Sequence, residues 1–230
     1  MSIRLDQTVP FGRSCREYAL MFGLDALGDR ARTLRFLDCA AGPSSFNAEA
    51  TAAGWTVTSI DPLYQFAGID IQRRFALTLD HVIDQVRATP NNWVWSYHRD
   101  PDDLRRNRIA AMDRFVADYT QPSAAGRYCC GAVPNLPVAA DRFDLALCSH
   151  FLFLYSGHFD EAFHVASLID MLRVAREVRV FPLLTLASVR SPHLAPVRTH
   201  LAAAGYDVTI ERVPYELQRG GNEMLRVRRL

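Results

Sequence analysis

Two aspartates, Asp38 and Asp61, are the side chains of this sequence best placed to bind a ligand. Asp38 ends an apolar run, and Asp61 ends a second run that is rich in β-branched residues. A loop of small residues containing Gly42 and a short helical segment lie between them. Strand, tight loop, helix, strand and terminal acid is the plan of an adenosine-binding βαβ unit, in which the second acid accepts ribose hydroxyls. The spacing therefore predicts a ligand that contains adenosine.

The loop after Asp38 favours close contact between a ligand and the backbone. Gly42 removes a side chain at the point of approach, Ala40 leaves room, and Pro43 suits the first turn of the next helix. The loop has the pattern AxGxxS, which ends in Ser45. Proteins that bind nicotinamide dinucleotides carry GxGxxG instead. The loop therefore disfavours a dinucleotide. An ordinary βαβ turn with two loop acids is the alternative.

A second group of reactive side chains follows another predicted strand. Ser149 and His150 come directly after it, and Tyr155 and His158 follow in a stretch rich in aromatic residues. Histidine suits general-base chemistry at neutral pH, so His150 is the first catalytic candidate and Tyr155 and His158 are the second. Structural roles for these side chains are the alternative. The histidines lack HxxxH spacing, so we expect no metal site.

Strands and helices alternate along most of the chain, which predicts a mainly parallel sheet with helices on both faces. The loop between the last two strands has no room for a crossover helix, so these strands should pair antiparallel. The predicted strands are residues 34–38, 56–60, 127–131, 143–148, 177–181, 207–212 and 224–228. The predicted helices are residues 13–24, 45–53, 66–88, 160–175 and 192–204.

A segment over about 90–122 does not belong to this alternation and is predicted to be a helical insertion. It begins with an aromatic cluster and continues as an arginine-rich amphipathic helix with Ile109, Met112 and Phe115 on its apolar face. We expect it to cover part of the ligand-binding edge of the sheet. The alternative is a helix packed on the sheet with its arginines in water.

Composition limits the class of protein. The chain has 230 residues, 49% of them hydrophobic, which is enough to bury a core and favours a single domain. A formal net charge of +1 gives no reason to expect nucleic acid or an anionic membrane as partner. No apolar run approaches the ~20 residues of a membrane span, and the N-terminus lacks a signal-peptide core. Five cysteines without CxxC spacing favour reduced thiols in the cytoplasm.

This arrangement resembles the class I S-adenosylmethionine-dependent methyltransferase family. Seven strands ending in an antiparallel hairpin match its fold, and the match to its sequence signature runs from Phe36 to Asp61. A second match, LPVAADRFDLALCSH, runs from Leu136 to His150. The resemblance implies a Rossmann-like α/β domain over residues 1–230 with S-adenosylmethionine as cofactor. It also implies methyl transfer to a small molecule, with an oxygen or nitrogen nucleophile favoured over carbon.

The resemblance also implies roles for individual residues. The first loop would hold the methionine end and the ribose, with Asp38 near the cationic amine. An N-terminal lid helix over about 11–25 would bring Arg13 to the methionine carboxylate or to an acidic substrate. The implied cofactor-binding residues are Arg13, Asp38, Cys39, Ala40, Gly42, Pro43, Asp61, Pro62, Leu63, Ala132, Val133 and Ser149.

The sequence departs from the family pattern after the third strand. Many relatives carry an acid there that accepts a hydrogen bond from the adenine amino group, but this chain has Ala132 and Val133. Backbone groups and apolar contact would then hold adenine. Two other functions therefore stay open: an S-adenosylmethionine-binding protein of the same fold without activity, and a nicotinamide-dependent oxidoreductase.

Overall fold

A seven-stranded sheet forms the centre of the computed structural model, which describes residues 9–230. The strand order is β3-β2-β1-β4-β5-β7-β6, and β7 runs antiparallel to both of its neighbours while the other pairs are parallel. The predicted mixed sheet with an antiparallel C-terminal pair is thereby confirmed. The strands are β1 Arg35–Cys39, β2 Thr56–Ile60, β3 Tyr128–Cys129, β4 Phe143–Ser149, β5 Ala175–Phe181, β6 Tyr206–Arg212 and β7 Glu223–Arg229.

Helices cover both faces of the sheet and bury two separate cores. Successive side chains of a strand point to opposite faces, so Phe36 and Leu145 join one core while Leu37 and Ala146 join the other. The first core lies under α1 to α4 and the second under α5 and α6. The helices are α1 Cys15–Phe22, α2 Phe46–Ala52, α3 Gly68–Ala88, α4 Pro101–Tyr119, α5 Glu161–Val174 and α6 Leu194–Ala203.

The N-terminal helix is shorter than the predicted residues 11–25. It begins after Ser14, which forms a capping box with Glu17, and it ends at Gly23 with φ +62°. A glycine in this left-handed conformation is a common helix stop. A 3-10 segment, Leu24–Thr33, then leads into β1.

The predicted insertion contains α4, which packs on α3 and α2. Asp100 caps α4 and Pro101 occupies its first turn, a favourable start for a helix. Its buried face contains Leu104, Arg108, Ala111, Met112 and Phe115, so it includes an arginine, while the predicted Ile109 is only half-buried.

Two further findings concern the class of protein. Among residues 9–230, no helix is both long enough and apolar enough to cross a membrane. All five cysteines lie in this range and are free thiols.

Candidate active site

A cleft lined by both polar and apolar side chains lies at the carboxyl ends of β1, β2 and β4, where open α/β sheets bind ligands. Its volume is about 670 Å³. The loop after β1, the turn after β2 and residues of α3 line it, together with segments 9–10, 132–133 and 150–151 and Tyr155. The lining residues are Val9, Pro10, Ala40, Gly42, Asp61, Pro62, Leu63, Gln65, Phe66, Arg74, Leu77, Thr78, Ala132, Val133, His150, Phe151 and Tyr155.

Asp61 is held in a fixed position on this cleft. Its Oδ2 accepts a hydrogen bond from the Gly42 N–H at 2.8 Å, and its Oδ1 accepts one from the Leu63 N–H at 2.8 Å. Burial raises the pKa of Asp61, and the two backbone hydrogen bonds oppose that rise. Each carboxylate oxygen can accept more than one hydrogen bond, so Asp61 keeps acceptor capacity toward the cleft.

The loop after β1 has an unusual backbone. Ala40 and Gly42 have φ values of +51° and +53°. A Cβ atom on Gly42 would meet no protein atom within 4 Å, so this position opens onto free space. Tyr64 fixes the loop by donating its hydroxyl to the Gly42 carbonyl at 2.7 Å. The left-handed conformation at Ala40 costs energy, and such strain clusters at binding sites.

Five predicted cofactor-binding residues do not line the cleft. Arg13 and Ser149 border a smaller pocket instead, and the other three, Asp38, Cys39 and Pro43, are buried. Asp38 is fully buried beneath the loop, where it accepts hydrogen bonds from the hydroxyls of Tyr18 at 2.9 Å and Ser59 at 3.4 Å. Burial raises the pKa of Asp38 to about 8. Cys39 is buried in the second core, and Pro43 is buried against Gly12. The side chains of β1 residues alternate between faces already covered by helices, which explains why its terminal residues are enclosed.

His150 lies where the cleft meets two smaller cavities. Its backbone has φ +54°, its N–H donates to the Phe181 carbonyl at 2.7 Å, and its Nδ1 shares a hydrogen bond with Ser149 Oγ at 2.9 Å. Burial and the charges of Arg13 and Arg108 lower the pKa of His150 well below its usual value. Its imidazole is therefore neutral at pH 7.

The other two catalytic candidates are placed differently. Tyr155 is buried, lines the cleft, and accepts a hydrogen bond from the Val9 N–H at 3.4 Å. His158 is exposed in the turn that follows, with its ring against Tyr155 at 5.6 Å, and it lies outside the cleft wall. Within residues 9–230, no cluster of three or more His, Cys, Asp or Glu side chains could hold a metal ion.

A second, mainly apolar cavity of about 90 Å³ lies on the other side of His150. Arg13 borders both this cavity and a polar pocket of about 50 Å³ formed with Tyr18, Gly42 and Ser149. The apolar cavity is lined by Val9, Phe11, Arg13, Val82, Val86, Trp93, Leu104, Arg108, His150, Leu154, Tyr155, Phe181, Pro182, Leu186, Tyr215, Leu217, Gln218 and Gly221.

A buried ionic cluster supports the wall of this cavity. Glu17 accepts two hydrogen bonds from Arg108, at 2.8 and 2.6 Å, and one from the Tyr215 hydroxyl at 2.9 Å. His98 Nε2 lies 3.2 Å from Glu17 Oε1. All four side chains are at most 2% exposed. Burial alone would raise the pKa of Glu17, but Arg108 and the hydrogen bond from His98 hold it well below its usual range.

The sequence interpretation missed this cluster, although one signal was present. Arg108 has the helical spacing of Leu104, Ala111, Met112 and Phe115, the buried residues of α4. A charged residue on an apolar helical face indicates a buried partner. Glu17 gave no such signal, because a Glu three residues after Ser14 is typical of a capping box on a solvent-exposed helix end.

Comparison with known proteins identifies one close relative in sequence. No family model matches the chain. Over 228 residues the chain is 31% identical to the uncharacterized protein MJ0045 of Methanocaldococcus jannaschii, and the alignment covers 99% of both proteins. The chain belongs to the MJ0045 family.

Comparison with solved structures identifies the fold of this chain. Magnesium protoporphyrin IX methyltransferase (ChlM) from Synechocystis PCC 6803 with bound SAM has a TM-score of 0.50 and 15% identity, covering 94% of this chain and 78% of that chain. The same methyltransferase with bound SAH has a TM-score of 0.51 and 13% identity, covering 94% of this chain and 82% of that chain. At these identities the likeness establishes the fold, which is that of the class I methyltransferases.

Proposed function

We propose that this protein is an S-adenosylmethionine-dependent methyltransferase that acts on a small molecule. The observation that carries the proposal is the Asp61 carboxylate, held on the cleft by the N–H groups of Gly42 and Leu63. An acceptor at the end of the second strand, beside a glycine that opens onto free space, suits the ribose of an adenosine ligand.

The residues around the cleft fit the rest of that cofactor. Pro62, Leu63, Ala132 and Val133 provide an apolar wall beyond Asp61, which suits adenine. The smaller pocket, with the Tyr18 and Ser149 side chains beside Gly42, suits the polar methionine end. The solved ChlM structures contain SAM and SAH, which supports the same cofactor here.

The reaction would take place beside His150. When bound, S-adenosylmethionine supplies a methyl carbon, which the acceptor takes as the carbon–sulfur bond breaks and its electron pair stays on sulfur. His150 would accept the proton that an oxygen or nitrogen acceptor releases, because its imidazole is neutral and Ser149 orients it. Tyr155 and Phe181 flank the same point and would exclude water.

A small acceptor is favoured over nucleic acid for two reasons. The net charge is +1, so the protein has almost no excess of positive charge to attract nucleic acid. The cavity beyond His150 is lined mainly by apolar and aromatic side chains, typical of a small-molecule site. We also propose a cytoplasmic location, which the five free cysteines support.

Calorimetric titration with S-adenosylmethionine and S-adenosylhomocysteine tests the cofactor. We expect dissociation constants in the micromolar range for at least one of them, since about 8 kcal/mol of binding energy corresponds to that range. Protein that is folded by circular dichroism and yet gives no binding to either compound would contradict the proposal.

Two further measurements separate the alternatives. A protein that only binds the cofactor would never release S-adenosylhomocysteine, whatever acceptor is supplied, so we expect its release with a panel of small acceptors. A nicotinamide-dependent oxidoreductase would change the fluorescence of NADH on binding. We expect no such change, because the AxGxxS loop lacks the glycines that a pyrophosphate needs.

A further inference from the structure

The cavity beyond His150 has an apolar body and a cationic edge. Val82, Val86, Trp93 and Leu104 form the apolar part, whereas Arg13 and Arg108 lie on its border. Building on the proposed function, we infer that this cavity binds the methyl acceptor as a small organic acid, with an apolar body in the cavity and a carboxylate at Arg13.

Two buried N–H groups lack a hydrogen-bond acceptor in this region. Arg13 Nε and Arg108 Nε are both buried without a partner among residues 9–230. Arg108 is 1% exposed, and its two terminal nitrogens are occupied by Glu17. A buried polar group without a partner is costly. Arg13 lines the cavity, so a ligand that accepts hydrogen bonds from its guanidinium would offset part of this cost.

The charges around the cavity do not balance. Arg13 forms no ion pair with any residue from 9 to 230, and the single carboxylate of Glu17 is already paired with Arg108. Within residues 9–230, two guanidinium groups thus face one carboxylate, which leaves one positive charge in excess among these residues. Burial and the charge of Arg108 lower the pKa of Arg13 to about 10, so it stays protonated at pH 7. An anionic ligand would neutralise this charge, and guanidinium–carboxylate pairs are among the stronger hydrogen-bonded contacts.

The position of the cavity agrees with an acceptor site. It meets the cofactor cleft at His150 and Tyr155, which line both. An acid held at Arg13 would have its apolar part between the aromatic wall and His150. The carboxylate serves as the recognition group, and the volume of about 90 Å³ favours a short chain or a single ring.

Matched pairs of charged and neutral probes test this inference. Butyrate and butyramide, and benzoate and benzamide, are titrated by NMR into the protein saturated with S-adenosylhomocysteine. In at least one pair we expect the carboxylate to bind tenfold or more tightly than the amide. Ratios below threefold in both pairs would overturn the inference.

Two variants of Arg13 locate the effect. Arg13→Gln should reduce the carboxylate preference to near one, and Arg13→Lys should retain part of it. Arg16→Gln is the matched control, because Arg16 is exposed nearby and pairs with Asp25; it should keep the full preference. An unchanged preference in Arg13→Gln contradicts the inference.

The cofactor itself is the main competitor for Arg13. If Arg13→Gln weakens S-adenosylhomocysteine tenfold and leaves the preference unchanged, Arg13 pairs with the methionine carboxylate and the inference fails while the proposed function stands. If the wild-type protein does not bind S-adenosylhomocysteine at all, the proposed function fails. The same four titrations without cofactor then still decide whether the cavity binds an organic acid.

Discussion

The cofactor cleft and the apolar cavity meet at His150, yet the carboxylates of the two regions, Asp61 and Glu17, are held by contacts of very different range along the chain. In the cleft, Asp61 bonds to groups 19 and 2 positions away, at Gly42 and Leu63. Around the cavity, Glu17 bonds to His98, Arg108 and Tyr215, which are 81, 91 and 198 positions away. The position of Asp61 therefore depends on one local βαβ unit, whereas the position of Glu17 depends on the whole tertiary fold. Substitutions in the Glu17 cluster should accordingly affect the stability of the fold, whereas substitutions at Asp61 should affect cofactor affinity.

The largest effect is expected from Glu17→Gln, on the cavity side. This change leaves Arg108 buried without its counter-ion, and breaking a buried pair typically costs about 3–5 kcal/mol. We expect the free energy of unfolding, measured by urea denaturation, to fall by about that amount. Glu223→Gln is the control, because Glu223 pairs with Arg190 at a partly exposed site and should cost less than about 1 kcal/mol. Equal losses in the two variants would show that the buried cluster does not stabilise the fold.

On the cleft side, Asp61→Ala should act on affinity. Loss of the carboxylate removes acceptors for the ribose hydroxyls and releases the Gly42 and Leu63 N–H groups. We expect the dissociation constant for S-adenosylhomocysteine to rise tenfold or more, about 1.4 kcal/mol, in calorimetric titration. Asp84 is an exposed carboxylate on α3, so Asp84→Ala is the control and should leave the dissociation constant unchanged. An unchanged constant in folded Asp61→Ala protein would remove Asp61 from the proposed cofactor site.

The same contrast explains what the sequence could and could not predict. The sheet, its antiparallel C-terminal pair and the turn at Asp61 follow from periodicity and short spacings, and the structure has them. The burial of Asp38 does not follow from these patterns, because the residue that covers it, Tyr18, belongs to a separate helix.

The cavity could not be predicted for the same reason. Nothing in the spacing of Glu17 and Tyr215 indicates that they meet, since the chain between them must first form the sheet. Only Arg108 carried a signal, through its position on the apolar face of α4. Contacts between distant segments depend on how helices pack, and hydrophobic periodicity identifies a buried face without identifying its partner.

A third prediction concerns the junction of the two regions, through the pH dependence of stability. His150 has a lowered pKa in the folded protein, so only the unfolded chain takes up its proton as the pH falls below about 6.5. Its contribution is complete above that pH and decreases below it, by at most about 1.4 kcal/mol per pH unit. Because Asp38 and Asp61 have raised pKa values with the opposite effect, the wild type must be compared with His150→Gln.

We expect the difference in unfolding free energy between wild type and His150→Gln to decrease by about 1 kcal/mol from pH 7.5 to pH 5.5. Urea denaturation at both pH values measures it. A difference that does not change with pH would mean that His150 is protonated equally in both states. The neutral imidazole that the proposed proton transfer requires would then have no support.

The smallest effect is expected at the outer wall of the cleft. The guanidinium of Arg74 lies 3.8 Å from the centroid of the Phe66 ring, and both side chains line the cleft. A cation–π contact of this kind contributes about 0.5–1 kcal/mol at an exposed site. Arg74→Gln should therefore loosen Phe66 and weaken S-adenosylhomocysteine binding about twofold to fivefold. Its neighbour Arg73 is exposed and pairs with Asp70 instead, so Arg73→Gln is the matched control and should not change the affinity. An equal loss in both variants would point to the general positive charge of α3, and the contact with Phe66 would then play no part in forming the cleft.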